Sequence, residues 1–395
     1  RQQFAQVTNP PIDPLREQIV MSLGTCFGRE KNMFEEKPDH ADRLLIDSPV
    51  LSTNKFNQLL EMDDPNYAHT IIDLNYPASS SLQKELEAVC QKAVDAVRNG
   101  KVVIVLSDRQ IAPEKLPIHA LLAVGAVHHR LIAEGLRCDA NIVAETATAR
   151  DPHHFAVLIG YGATAIYPFL AYESIIGMQI SGEIKERNSL DLMHNYRKGI
   201  NKGLYKITSK MGISTISSYR GAQLFESVGL NNEIVDLCFT GTTNRLQGTN
   251  FEDLEADQRK LAKRAWNKNK STDHGGLLKY VHGGEDHAFN PDVVHAIQTA
   301  VRTGDYQDYR TFADLVNNRP VLAFRDLLRL RDDQSPISID DVEPIESIVK
   351  RFDSAAMSLG ALSPEAHETL AQAMNRLGGR SNSGEGGEDP ARFNT

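Results

Sequence analysis

The chain has 395 residues, enough for two or three domains at about 150 residues each, with 43 Lys and Arg against 52 Asp and Glu for a formal net charge of −9. That balance speaks against a general nucleic-acid binder, whose affinity comes from neutralised phosphates. Hydrophobic residues at 41% and charged residues at 24% exclude disordered and fibrous classes, and a chain of this size builds a core without disulfides or structural metal.

The first 80 residues read as irregular and proline-marked, with Pro10, Pro11 and Pro14 forcing an extended path. The chain opens on Arg1 rather than Met, as a processed or excised piece would, and no apolar run of a signal peptide follows. From His69 the pattern turns regular. His69–Tyr76 predicts a short apolar strand, and Leu82–Arg98 has helical apolar spacing that stops at Asn99–Gly100. Lys101–Arg109 predicts a strand buried on both faces, Leu116–Gly135 a helix, Asn141–Thr146 a strand, Asp151–Ile159 a helix and Ala163–Tyr167 a strand. Leu190–Met211 follows as a long amphipathic helix, and Ile213–Ser217 with Tyr219–Val228 predicts that the alternation continues. Repeated βα units require crossovers that return over the sheet, so the fold class is α/β with a parallel sheet, barrel-like or irregular. Ser107, Asp108 and Arg109 then stand where such a sheet presents its ligand-facing edge.

Phe155–Tyr172 holds 18 residues without a charge, close to the length of a membrane span. Gly160, Gly162 and Pro168 interrupt it, so it reads as helix end, turn, buried strand and new helix, with no membrane partner. GYGATA at 160–165 imitates the dinucleotide fingerprint. It runs from helix to strand, the reverse of the order that aims amides at a pyrophosphate, and is read as a turn. His128–His129 and His153–His154 are adjacent pairs on helices, whose side chains diverge by about 100° and do not share a ligand easily. His274, His282, Glu285, Asp286, His287 and His295 crowd one stretch, but without HExxH, HxH or an i, i+4 pair they read as a polar loop rather than a metal site. Leu261–Lys270 is basic behind Glu252, Asp253, Glu255 and Asp257, the pattern of a solvated helix. The four cysteines, at 26, 90, 138 and 238, have no CxxC spacing and read as reduced thiols of a cytoplasmic protein.

Residues 331–345 read as a linker, after which a strand-like Ala355–Leu359 and a helix over Glu365–Leu377 start a new βα unit. The boundary is set at 340/341. SNSGEGGEDPAR at 381–392 is glycine-rich and acidic, so it does not cradle phosphate; it reads either as a disordered cut end or as a carboxylate-bearing active-site loop at the end of a strand.

FAQVTNPPIDPLRE (4–17), MGISTISSYRGAQLFESVGL (211–230), HGGEDHAFNPDVVHAIQTAV (282–301) and MSLGALSPEAHETLAQAMNRLGGRSNSGEGGEDPARF (357–393) resemble the large subunit of bacterial glutamate synthases, from one end of the chain to the other. The resemblance implies a fragment, with residues 1–340 as most of the central domain. Residues 341–395 are then the first, incomplete βα unit of an FMN-binding (β/α)8 barrel. The parent would be an NADPH-dependent oxidoreductase that makes two glutamates from glutamine, 2-oxoglutarate and reductant. Its glutaminase domain passes ammonia through an internal tunnel to the barrel, and electrons arrive through a small subunit and iron–sulfur clusters. This chain lacks the terminal cysteine nucleophile and a cysteine-rich cluster segment, so alone it is expected to be inactive and to bind no cofactor. By family position Met357, Ser358 and Gly360 stand at the flavin, with a backbone turn bonding it and the Met side chain packing on its ring. Glu385 and Glu388 are both candidates for the carboxylate that couples the two sites, and the segment at 4–14 for tunnel lining. Two alternatives remain, part of another FMN-barrel oxidoreductase or a non-catalytic scaffold.

Overall fold

The computed structural model describes residues 17–185, 188–269 and 275–393, in two compact units, residues 1–271 and 272–395. The 340/341 boundary expected from the linker falls inside the second unit. The tunnel-lining segment at 4–14, together with Lys270 and His274, lies outside the described residues.

The first unit is organised by four parallel strands, β1 (His69–Asp73), β2 (Val103–Ser107), β3 (Asn141–Glu145) and β4 (Ala165–Tyr167), hydrogen-bonded in the order β1-β2-β3-β4. Each strand is neighbour to the next in sequence with no reversal, as in a barrel, but among the described residues no strand pairs with the outer edge of β1, so the sheet is the irregular form of the expected fold. The segment 49–51 extends it past β4: Ile166 N donates to Pro49 O at 2.7 Å and Leu51 N to Ile166 O at 2.9 Å.

The crossovers are α1 (Leu82–Arg98), α2 (Ala120–Ala133) and α3 (Pro152–Gly160). Because strand side chains alternate between faces, β2 splits its apolar residues. Ile104 and Leu106 pack with Leu86, Val94 and Val127 of the crossover helices. Val103 and Val105 meet the opposite cluster of Phe27, Leu51, Phe56, Tyr67 and Tyr167, where the Phe56 and Tyr167 rings stack at 4.3 Å. Burial on both faces is why these strands read as continuous apolar runs.

The turn between α3 and β4 shows why its glycines are there. A side chain at Gly162, whose φ is +116°, would come within 2.4 Å of His128, and one at Gly160 within 2.5 Å of Phe225. Arg137 clamps the same corner, donating to His128 Nδ1 at 2.8 Å, Ala140 O at 2.6 Å and Gly162 O at 2.8 Å. Burial, and then the Arg137 charge, push His128 down to about 3, so it accepts as a neutral ring. His128 is buried and His129 half-buried, and their rings meet edge to face at 5.1 Å between centres rather than diverging fully.

Three expectations are corrected. The helix predicted from Leu116 starts at Ala120, because Lys115–Pro117 pairs antiparallel with Asn75–Pro77 and His119 caps the helix. Ile213–Ser217 is not a strand: Ile216–Tyr219 is a helical turn whose buried residues, Ile216 and Tyr219, stand three apart. The alternation resumes only in a separate pair of parallel strands, Glu226–Leu230 and Thr243–Thr249. The strand-like pairing expected over Ala355–Leu359 lies earlier, at residues 352–357. The charge-free stretch 155–172 is helix, turn, strand and helix, and no helix among the described residues is long and apolar enough to cross a membrane.

The second unit holds α4 (Pro291–Thr303) and α5 (Tyr306–Asn317), joined at a left-handed Gly304, and later α6 (Pro364–Leu377). Before α4, His287 Nε2 lies 2.5 Å from Gly276 O, and among the described residues no group of three His, Cys, Asp or Glu is placed to hold a metal.

Candidate functional site

The residues at 357–360 and 385–388 belong to one βα unit. Ser363 accepts from Ala366 N at 3.3 Å and Pro364 opens α6, while Gly378 ends it in the left-handed conformation. The chain then returns beside the incoming segment: Arg380 N donates to Phe352 O at 3.1 Å, Ser354 N to Arg380 O at 2.9 Å and Met357 N to Asn382 O at 3.0 Å. This is a parallel pairing closed by a helix, the opening step of a barrel-type repeat.

Beyond it, Ser358 Oγ accepts from Gly360 N at 3.2 Å, and a side chain at Gly386 would fall 2.0 Å from that oxygen. The GEGGED loop therefore lies directly on Ser358, and glycine at 386 is what permits it.

A buried histidine organises this loop. His367, 3% exposed, shares the inward face of α6 with Ala371. Its Nε2 is 3.1 Å from Met357 O and its Nδ1 3.0 Å from Arg392 Nη1. A carbonyl only accepts, so Nε2 carries the hydrogen and Nδ1 accepts from the guanidinium. Arg392 also pairs with Glu388 at 2.8 Å. Glu388 is thus committed to holding the loop, whereas Glu385 is exposed and has no partner among the described residues. His367 and Arg392 were not singled out from sequence. The signal was present in His367, a polar residue four positions before Ala371 on an apolar stripe.

In the first unit the strand ends form a second polar cluster. Ser107 Oγ donates to Glu145 Oε2 at 2.6 Å, and Arg109 reaches Glu145 at 3.4 Å and Glu173 at 2.6 Å. The Arg109 guanidinium also stands 4.6 Å from the centre of the Phe169 ring. Asp108, 4% exposed, accepts from Thr146 Oγ1 at 2.5 Å and Ala147 N at 2.9 Å. Burial raises its carboxyl above the ordinary value despite those bonds. The polar residues expected at the sheet edge are there, tied to one another.

The family model of the glutamate synthase central domain matches residues 1–231, and that of the conserved region in glutamate synthase matches residues 287–395. The chain belongs to the glutamate synthase family. It is 44% identical over its whole length to ferredoxin-dependent glutamate synthase of Pyropia yezoensis and 41% to the glutamate synthase [NADPH] large chain of Bacillus subtilis, covering 26% of each. It therefore spans about a quarter of the length of these curated relatives. The recombinant flavin-binding domain of baker's yeast flavocytochrome b2 aligns at a TM-score of 0.31, with 12% identity over 57% of this chain and 46% of that one, too weak a likeness to carry an argument. The family resemblance read from the four motifs holds. The cysteines do not fit an iron–sulfur ligand set: Cys26 is half-buried, Cys90 and Cys238 are buried and Cys138 is exposed, with no cluster among the described residues.

Proposed function

We propose that the chain is the core stretch of a glutamate synthase, joining a glutaminase site to a flavin-dependent synthase site and helping to wall the ammonia path between them. The whole enzyme converts glutamine, 2-oxoglutarate and reductant to two glutamates. Identity above 40% to two synthases across the entire chain carries the reading. NADPH, a small subunit, iron–sulfur clusters and a cytoplasmic location belong to the same reading. Relatives named for ferredoxin and for NADPH match this stretch to a similar degree.

Met357, Ser358 and Gly360 are proposed to face FMN, which when bound supplies the hydride chemistry. The fit is partial. Both backbone groups of Met357 are spent on Asn382 and His367, which leaves its thioether to pack on a ring. Ser358 keeps its hydroxyl hydrogen, since its oxygen only accepts from Gly360. Of the two glutamates, Glu385 is proposed as the coupling carboxylate, because Glu388 is already engaged by Arg392.

Two measurements test this. In the parent polypeptide, Glu385→Gln is expected to let glutamine hydrolysis outrun glutamate formation from 2-oxoglutarate, while Glu388→Gln keeps the two in step; the reverse pattern would sink the assignment. For the 395 residues alone, titration with FMN is expected to give no saturable quenching up to high micromolar flavin and no glutamate synthesis. Tight stoichiometric binding would instead mean that this stretch forms a flavin site by itself.

A further inference from the structure

A cavity of about 280 Å³ opens in the first unit beside the loop that follows β3, lined on its polar side by His119, Thr148, Arg150, His153 and His154 and on its apolar side by Leu121 and Val157. From this arrangement we infer that the cavity is a binding site for a small carboxylate anion with a short apolar body.

The donor pattern carries the argument. His119 Nδ1 accepts from Leu121 N at 3.2 Å, and His154 Nδ1 accepts from Arg150 N at 3.2 Å. A ring nitrogen that accepts an amide hydrogen carries none of its own, so both neutral imidazoles bear their hydrogen on Nε2. Two rings of the lining are thereby set as donors by backbone amides. Arg150 adds a guanidinium that has no acceptor among the described residues, while its backbone is pinned at both ends, N–H on His154 and C=O under the Tyr196 hydroxyl at 2.9 Å. Thr148 is pinned too: Thr146 spends its one hydroxyl hydrogen on the buried Asp108, so Thr148 Oγ1 donates to Thr146 Oγ1 at 2.9 Å and brings no free hydrogen to the cavity. The two ring N–H groups and the guanidinium suit an acceptor-only group, and a guanidinium suits a carboxylate in particular.

The end of α3 is not part of the site. Asp151 accepts from the amides of His153 and His154, so those donors are used, and the anion is held by side chains. The Asp151 carboxylate stands 3.5 Å from His154 Nδ1, and its charge disfavours a ligand carrying more than one negative charge. The volume is near the lower bound of small-molecule sites, about 300 Å³, and the apolar side asks for a few carbons rather than a bare inorganic ion.

The test is a histidine side-chain 1H–15N NMR titration of the 395-residue chain with butyrate, alongside inorganic phosphate and chloride at equal ionic strength. Saturable shifts of the His119 and His154 Nε2–H signals are expected with butyrate. Arg150→Gln removes a charge-assisted bond from an exposed side chain and is expected to weaken binding about tenfold or more. His119→Asn keeps an oxygen to cap α2 but loses the Nε2–H, so binding should weaken while far-UV circular dichroism stays unchanged. Linear, unsaturable shifts, an affinity indifferent to Arg150→Gln, or phosphate binding more tightly than butyrate would each overturn the assignment.

Discussion

The two units use the same strand–helix unit with opposite results. In the first, β2 is buried from end to end, and α1 buries seven of its residues against the sheet. In the second, the segment at 352–357 pairs with one returning stretch, and α6 buries only His367 and Ala371. Leu330, Phe324 and Phe393 of the second unit stay largely exposed. A helix of good amphipathic spacing with proper caps is therefore not yet a core. It becomes one when further strands supply the second face, which the family reading places elsewhere in the parent chain.

Hydrogen exchange should show the largest contrast. Amides of β2 and β3 are expected to exchange only through global unfolding, and those of α6 orders of magnitude faster through local opening. Equal protection would break the comparison. Next in size, Leu106→Ala, at a site with 0% exposure, should cost about 2–5 kcal/mol in urea unfolding. Leu377→Ala, at 61% exposure, should stay within about 0.5 kcal/mol.

Overpacking gives a smaller effect. A side chain at Gly125 would meet the backbone oxygen of Cys238 at 2.1 Å, so Gly125→Ala is expected to destabilise by about 1–3 kcal/mol, read from the same urea transitions. Acid should sharpen the contrast by sign. The Asp108 carboxyl is raised above its ordinary 3.8, chiefly by burial. Its unfavourable contribution is complete above the folded value and is relieved as pH falls toward 3.8. Asp326 is held down to about 2, first by the Leu322 amide and then by Arg319. Its favourable contribution is present above 3.8 and is lost as pH falls toward about 2. Comparing each protein with its Asp→Asn variant between pH 2 and 7 should give slopes of opposite sign; matching signs would mean that one environment is misread.

What sequence made legible follows from range. α1 was readable to the residue, because its apolar spacing and its Asn99–Gly100 stop are local signals. β2 was readable because burial on both faces leaves an unbroken apolar run. The turn at 160–164 was readable as a reversal of helix and strand, although the contacts that demand its glycines, from His128 and Phe225, come from far along the chain. The start of α2 was not, since residues 115–117 are drawn into pairing with 75–77. Within the candidate site, the residues singled out at 357–360 and 385–388 are brought together in one βα unit. What distinguishes Glu388 from Glu385 is its pairing with Arg392, which also meets His367, a meeting that no spacing rule announces.

The contact between Val50 and Ile166 has a kinetic consequence. β1 to β4 can add one after another as the chain lengthens, each finding its partner one crossover back. The segment at 49–51 is made before any of them, yet its place is beside the last. It must wait, unpaired, until the chain has grown past β4, and closing so long a loop costs entropy that the earlier pairings do not incur. The oldest part of the sheet is then expected to be the last to settle, so pulse-labelling during refolding should protect the Leu51 and Ile166 amides after those of β2.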